Sequence, residues 1–311
     1  MTNRHSGIHL AGALKKRDLL TLDTATAGEI TAILDLAARQ KADPSTYRTE
    51  PILLGKVVGL FFEKASLRTR LSFETAVCQL GGSCIYMGPE TGRIGEREAI
   101  VDLAQVASRY LDAFVLRTFK DETIVELARH APKPVINGLS DKQHPCQALG
   151  DLLTIREKFG RLDGIKLAFI GDCNNVCRSL AHALPKMGGT MSVACPHGYA
   201  FTPAFVKSSG IQIFDAPLDA IQNADVIYTD TWTSMGQENE AHKRRGTFQP
   251  YQINAELMAL VPKAIFMHCL PAHRGDEVTD GVIDGPQSAV YDQAENRLHV
   301  QRALLTMLLG G

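Results

Sequence analysis

What this 311-residue sequence lacks narrows it first. Its 33 basic and 34 acidic residues leave a formal charge of -1, so no global field attracts nucleic acid or an anionic membrane. Any anion site must therefore be local. No apolar run approaches the roughly 20 residues of a membrane span, and the stretch Met1 to Gly7 has no apolar centre of a secretory signal, so a cytoplasmic protein is expected. The seven cysteines (78, 84, 146, 173, 177, 195 and 269) are odd in number and scattered, which fits reduced thiols better than a disulfide framework. Cys173 and Cys177 share a face if helical, but no second Cys or His pair stands near in sequence to complete a zinc set, and no metal is expected. There is no internal repeat and no low-complexity tract.

What is present is an alternation of apolar and amphipathic segments from end to end, the pattern of parallel strands covered by helices. Single cores stop growing at roughly 250 to 300 residues, so the length suits two α/β domains, each a doubly wound parallel sheet. The first, residues 1–150, has expected strands at Val57 to Phe62, Ser83 to Met87, Ala113 to Leu116 and Pro134 to Asn137. The second, residues 151–311, has them at Lys166 to Gly171, Thr190 to Cys195, Ala224 to Thr229, Ala264 to His268 and Ala289 to Tyr291. A helix opening at Pro145, with Leu149, Leu152, Leu153 and Phe159 as its stripe, bridges the halves. A last helix over 294–309 is expected to pack back toward the first domain. After Arg70, Leu71, Thr75, Cys78 and Gln79 share helical spacing, and Gly81-Gly82 stops that helix. The aperiodic, glycine-rich stretch Gly88 to Gly95 reads as a mobile loop.

The chemistry-bearing segments follow strands, where open parallel sheets collect ligands. Phe62 to Arg70 runs from an apolar strand into a helix start rich in hydroxyls and guanidiniums. The unpaired N–H groups of a first turn, the macrodipole, Ser66, Thr69 and the planar fork of Arg68 together suit a phosphate, although a Ser-capped helix with solvated arginines fits the same letters. Arg117 follows the third strand, as a ligand group or as a surface arginine. His144-Pro145-Cys146-Gln147 projects an imidazole and a carboxamide from a helix N-terminus. Gly171-Asp172-Cys173-Asn174-Asn175 is a tight turn without the G-x-G-x-x-G of a dinucleotide site, and its asparagines can cap a helix or bind a polar ligand. Asp230 stands four residues before Ser234, a carboxylate suited to an ammonium or an ordinary Asx turn. His268 and Cys269 are adjacent on a strand and point to opposite faces, which argues against a nucleophile–base couple and for a polar contact from Cys269. Glu295-Asn296-Arg297 lies early in the last helix.

Taken in order, these segments resemble the aspartate/ornithine carbamoyltransferase family over almost the whole chain. Ser66-Leu67-Arg68-Thr69-Arg70 resembles the family's Ser-Thr-Arg-Thr-Arg loop, with leucine for the usual threonine, and His144-Pro145-Cys146-Gln147 its His-Pro-x-Gln. Asp230 with Ser234-Met235-Gly236, the His268-Cys269-Leu270-Pro271 box and Asn175 resemble the ornithine-type members. The resemblance implies transfer of a carbamoyl group from carbamoyl phosphate to L-ornithine in the cleft between the two domains, giving L-citrulline and phosphate in arginine biosynthesis, without cofactor or metal. It further implies that Ser66, Leu67, Arg68, Thr69 and Arg117 hold the phosphate, and that Thr69, His144 and Arg297 polarise the carbonyl. Gln147 and the Leu270 carbonyl orient the carbamoyl NH2, while Asn175, Asp230, Ser234 and the Met235 backbone hold ornithine, with Cys269 and Asp230 biasing its amine. A homotrimer is implied, with the loop around Arg93, which carries arginine where glutamine is common, reaching a neighbouring subunit's site. The rivals are an N-acylated ornithine or aspartate as acceptor, a binding paralogue without turnover, and a nicotinamide dehydrogenase.

Overall fold

Strands form where apolar runs are buried on both faces, as in Ala113–Arg117, whose every residue is buried. The structure, a computed structural model, describes residues 14, 18–49, 51–233 and 238–310. Among them, β1 (Val57–Phe62), β2 (Ser83–Met87), β3 (Ala113–Arg117) and β4 (Val135–Leu139) form a parallel sheet of order β2-β1-β3-β4. A second parallel sheet has the order β7-β6-β5-β8-β9, built from β5 (Lys166–Ile170), β6 (Thr190–Ala194), β7 (Gln212–Phe214), β8 (Val226–Thr229) and β9 (Ile265–His268). In each sheet the winding reverses at the first strand. The chain leaves β1 toward β2 on one side and later returns to β3 on the other; from β5 it goes to β6 and β7, then back across to β8 and β9. Such reversals open a crevice at the carboxyl ends of the strands, here between β1 and β3 and between β5 and β8.

Three long helices join the sheets. The first helix (Ala27–Ala42) opens with a Thr26/Glu29 capping box, the bridging helix (Pro145–Phe159) stops at Gly160 with φ 71°, and the C-terminal helix (Val290–Leu309) packs on both. One core runs through them into both sheets, holding Ile33, Leu149, Leu152, Phe169 and Leu304 among others. Each such side chain contributes about 1.5 to 3 kcal/mol by burial, so the two halves share stabilisation. Gly150 allows the close approach: a Cβ there would lie 3.2 Å from Arg297 Cγ and 3.4 Å from its backbone nitrogen.

Two expectations about elements need correction. Ala289 to Tyr291 is not a strand: Phe266 exchanges backbone hydrogen bonds with Gln287 and Ala289, a single bridge, and the chain then turns directly into the C-terminal helix, which begins at Val290 rather than 294. On the anion helix (Leu67–Gln79), the buried face is Thr69, Phe73, Ala76 and Val77, while Leu71, Thr75 and Cys78 are exposed. All seven cysteines are free thiols.

Candidate active site

The two crevices face each other across a cleft of about 1280 Å³. On the first-domain side, β1 feeds the anion helix through Ser66, the N-cap, which is extended at φ -158° and accepts from the Thr69 N–H at 3.4 Å. That leaves the other first-turn N–H groups aimed at the cleft, beside half-buried Arg68 and exposed Leu67. Arg117, at the end of β3, is buried, and its Nε has no partner. Arg297 arrives from the C-terminal helix, equally buried, donating from Nη2 to Thr69 Oγ1 at 2.9 Å and likewise leaving Nε unpartnered. Among the described residues, none of Arg68, Arg117 and Arg297 forms an ion pair. Burial, with Arg297 and Arg68 close by, lowers the Arg117 guanidinium to about 10, and burial lowers that of Arg297. Buried cations without carboxylates are costly by several kcal/mol each, so this corner is built for an anion that arrives from outside.

His144 caps the bridging helix next to these cations. Its backbone N–H donates to Ser179 Oγ at 2.8 Å and its Nδ1 has no partner. Burial first, then Arg297 and Arg117, hold its pKa well below the ordinary histidine value, so it is an uncharged imidazole near neutrality. One turn on, Gln147 donates from Nε2 to Asp151 at 2.9 Å, and its Oε1 is buried without a partner. Asp151 is fully buried, and burial pushes its carboxyl up to about 7 against the pull of its hydrogen bonds.

The second domain supplies the opposite wall. Gly171 follows β5 with φ 135°, a conformation open to glycine, where an added Cβ would lie 3.4 Å from Thr229 Oγ1. The turn it begins sets Asn174 as N-cap of helix Asn175–Ala183, and Asn174 Nδ2 donates to Asp230 at 2.6 Å. Asp230, just past β8, also accepts from the Thr231 N–H at 2.8 Å and from the Cys269 thiol at 2.9 Å. Burial first and then Asp230 raise the Cys269 pKa well above the ordinary thiol value, so the sulfur keeps its proton. Leu270 follows in the left-handed region at φ 54°, an uncommon place for a branched side chain. His268 points away from the cleft: Nε2 meets Glu277 at 3.1 Å and Nδ1 accepts from the Leu270 N–H at 2.9 Å. Asp230, His268 and Cys269 bring ligand-type atoms within 4.8 Å of one another, the single such group among the described residues. Both nitrogens of His268 are already engaged, which leaves only Asp230 and Cys269 to meet a guest.

The structure thus brings Ser66, Leu67, Arg68, Thr69, Arg117, His144, Gln147, Asn175, Asp230, Cys269, Leu270 and Arg297 around one cleft. Asn175 turns its amide to the Ser140 carbonyl at 2.7 Å, and its neighbour Asn174 is the one that holds Asp230. Arg93 is not part of this wall: its guanidinium lies on the Phe119 ring, 4.5 Å from the centroid, and its loop is tied down where Glu63 accepts from the Ile94 and Phe119 N–H groups. Ser234 and Met235 lie outside the described residues. Sequence reading gave no role to Lys64, which pairs with Asp141 at 2.5 Å on the rim, or to the buried Arg244–Asp172 ion pair, which also ties Arg244 to the Trp232 carbonyl. Lys64 sits inside the strand-to-helix run already singled out; Asp172 and Arg244 are 72 residues apart, and no local signal joins them.

Comparison with known proteins follows the same division. Residues 17–157 match the family model described as aspartate/ornithine carbamoyltransferase, carbamoyl-P binding domain, and residues 163–308 match that of the Asp/Orn binding domain. The chain is 50% identical over 309 residues to ornithine carbamoyltransferase from Halalkalibacterium halodurans, covering 96% of this chain and 97% of that protein. It is 48% identical over 307 residues to the same enzyme from Bacillus subtilis, covering 96% and 95%. Among solved structures, ornithine carbamoyltransferase from Pyrococcus furiosus superposes with TM-score 0.90 at 46% identity, covering 95% of this chain and 97% of that one.

Proposed function

The chain belongs to the aspartate/ornithine carbamoyltransferase family, and from that premise we propose that it transfers the carbamoyl group of carbamoyl phosphate to the δ-amine of L-ornithine, forming L-citrulline and phosphate. One observation carries the reading. Three guanidiniums without carboxylate partners converge on a helix N-terminus in one half, and a carboxylate held by Asn174 and Cys269 faces them from the other. An anionic donor and an ammonium-bearing acceptor fit that polarity. Free ornithine keeps an α-ammonium for Asp230 to meet; an N-acylated ornithine does not, and aspartate would require cations where Asp230 stands.

In this reading the first-turn N–H groups of Leu67 and Arg68, the Ser66 and Thr69 hydroxyls, and the Arg68 and Arg117 guanidiniums hold the phosphate and stabilise it as leaving group. Neutral His144, Thr69 and Arg297 donate to the carbamoyl oxygen as the tetrahedral intermediate forms, each well-aimed donor worth roughly 3 to 4 kcal/mol. Gln147 and the Leu270 carbonyl accept from the carbamoyl NH2. Asn175, Asp230, Ser234 and the Met235 backbone hold the amino-acid end of ornithine. An amine with a pKa of roughly 10 is mostly protonated near neutrality, so the site admits or generates its neutral form; Cys269 and Asp230 bias it for attack. Attack on the carbonyl carbon expels phosphate, which accepts the proton lost by the amine. The reading therefore assigns no protein base, cofactor or metal. Cys269 stays a protonated contact.

Carbamoyl phosphate binds first, because ornithine closes the cleft over it. The division into a donor half, residues 1–150, and an acceptor half, residues 151–311, falls within the bridging helix. A homotrimer is part of the proposal, with Arg93 serving a neighbouring subunit; exposed Leu67, Leu71 and Ile85, on the anion helix and the edge strand it packs against, support it. A fully active monomer in sedimentation would refute it. We assign the enzyme to arginine biosynthesis in the cytoplasm; among the described residues no helix is long and apolar enough to cross a membrane. The direct test offers L-ornithine, N-acetylornithine and L-aspartate separately with carbamoyl phosphate. Citrulline from ornithine alone, abolished by Arg68→Ala, supports both halves; turnover only with another acceptor overturns the role of Asp230.

A further inference from the structure

We propose that Asp151 is the positioning residue that fixes the amide of Gln147, so that its carbonyl oxygen faces the cleft and selects a carbamoyl group over an acetyl group. This rests on the carbamoyl phosphate reading above. Asp151 and Gln147 are one turn apart on the bridging helix, and Gln147 Nε2 donates to Asp151 Oδ1 at 2.9 Å. Against the ionised carboxyl a flipped amide would set two acceptor oxygens against each other at that distance; when the carboxyl is protonated, Oδ1 still accepts from Gln293 and the proton lies on Oδ2, so in both forms the pair dictates which end of Gln147 is left over. The end left over, Oε1, is buried, lacks a partner and belongs to the cleft lining.

Asp151 is itself held. Oδ1 also accepts from Gln293 Nε2 at 2.7 Å, and Oδ2 accepts from the Tyr228 hydroxyl at 3.1 Å. Gln293 cannot turn over without loss, because its Oε1 accepts from the His268 N–H at 2.9 Å. The orientation of Gln147 is thus locked through Asp151 to buried Gln293, Tyr228 and His268, on the C-terminal helix, β8 and β9. A free acceptor at this point satisfies an N–H donor. Acetyl phosphate is nearly isosteric with carbamoyl phosphate but carries a methyl in place of the NH2, so against it Oε1 is buried with nothing to accept.

The test measures dissociation constants for carbamoyl phosphate and acetyl phosphate by calorimetry on the full chain, alongside citrulline formation. The ratio of the two constants is a readout that general loosening of the fold does not move. Asp151→Leu is expected to shrink the ratio roughly tenfold, toward that of Gln147→Leu. Asp151→Asn keeps an acceptor oxygen for Gln147 and should retain it. Gln293→Leu, which damages the same network without touching the Gln147–Asp151 bond, should also retain it. Should Asp151→Leu fail to fold, Asp151→Ser, polar but too short to reach Gln147, carries the test: a ratio shrunk as in Gln147→Leu supports the proposal and a wild-type ratio overturns it. A ratio unchanged in Asp151→Leu, or lost equally in Gln293→Leu, overturns it. A wild-type chain that forms no citrulline overturns the functional reading instead.

Discussion

Replacing Asp151 with asparagine should make the protein's stability respond less to pH, and the size of the change follows from where the carboxyl sits. Burial raises it from 3.8 to about 7, so the folded protein keeps a proton that the unfolded chain releases between those values. The contribution of this group is therefore complete below the unfolded pKa and is lost as pH rises through about 7. Integrated over that interval, it is worth roughly 3 kcal/mol at pH 5 and close to zero at pH 8. Asparagine does not titrate. The stability difference, variant minus wild type, should thus move in the variant's favour by roughly 3 kcal/mol from pH 5 to pH 8. Urea unfolding at four pH values and one protein concentration gives this difference, provided the slope with denaturant is the same for both. His144, whose lowered pKa makes stability rise with pH, and Asp172, pushed up to about 6, titrate nearby. Both remain in the variant and cancel in the difference. Parallel stability curves for the two proteins would refute a neutralised, buried Asp151.

Three further outcomes are expected. Arg117→Leu removes a buried cation that has no carboxylate, so the free protein should gain about 1 to 3 kcal/mol while carbamoyl phosphate affinity collapses; thermal melts and calorimetry read the two effects. Cys269→Ser should lower kcat/KM for ornithine by roughly tenfold without abolishing turnover, and the wild-type thiol should react slowly with iodoacetamide, because burial and Asp230 keep it protonated. Gly150→Ala, which gains about 1 kcal/mol in an open helix, should here lower both the melting temperature and kcat, since its Cβ meets Arg297 at 3.2 Å; an unchanged kcat would show that the C-terminal helix yields freely.

Most of the fold is legible because parallel strands buried on both faces leave unbroken apolar runs, as at Val57–Phe62 and Ala113–Arg117. Ala289 to Tyr291 misleads for the same reason. Three apolar residues cannot be told from the first turn of a buried helix by periodicity, and there the backbone pairs once with Phe266 before coiling. β7 goes unread because Gln212–Phe214 is a short, partly exposed edge with a single aliphatic residue. Groups at strand ends, such as Ser66, Arg117, Asp230 and Cys269, are legible because local chain geometry alone brings them to the crevices. Gln293 and Tyr228 around Asp151 are not: they come from 142 and 77 residues away in the chain, and only the packing of helix on helix and sheet unites them.

The C-terminal helix, which lies across the bridging helix and delivers Arg297 to Thr69, also sets a timetable for the nascent chain. At roughly 5 to 20 residues per second, the ribosome finishes the anion helix many seconds before it makes the arginine that helix is paired with. Throughout that interval the bridging helix packs chiefly on the first helix, β4 and helix Asn175–Ala183, and the face that the C-terminal helix covers stays open. In the proposed mechanism the same delay is protective, because a half-made chain lacks Arg297, one of the donors assigned to the carbamoyl oxygen.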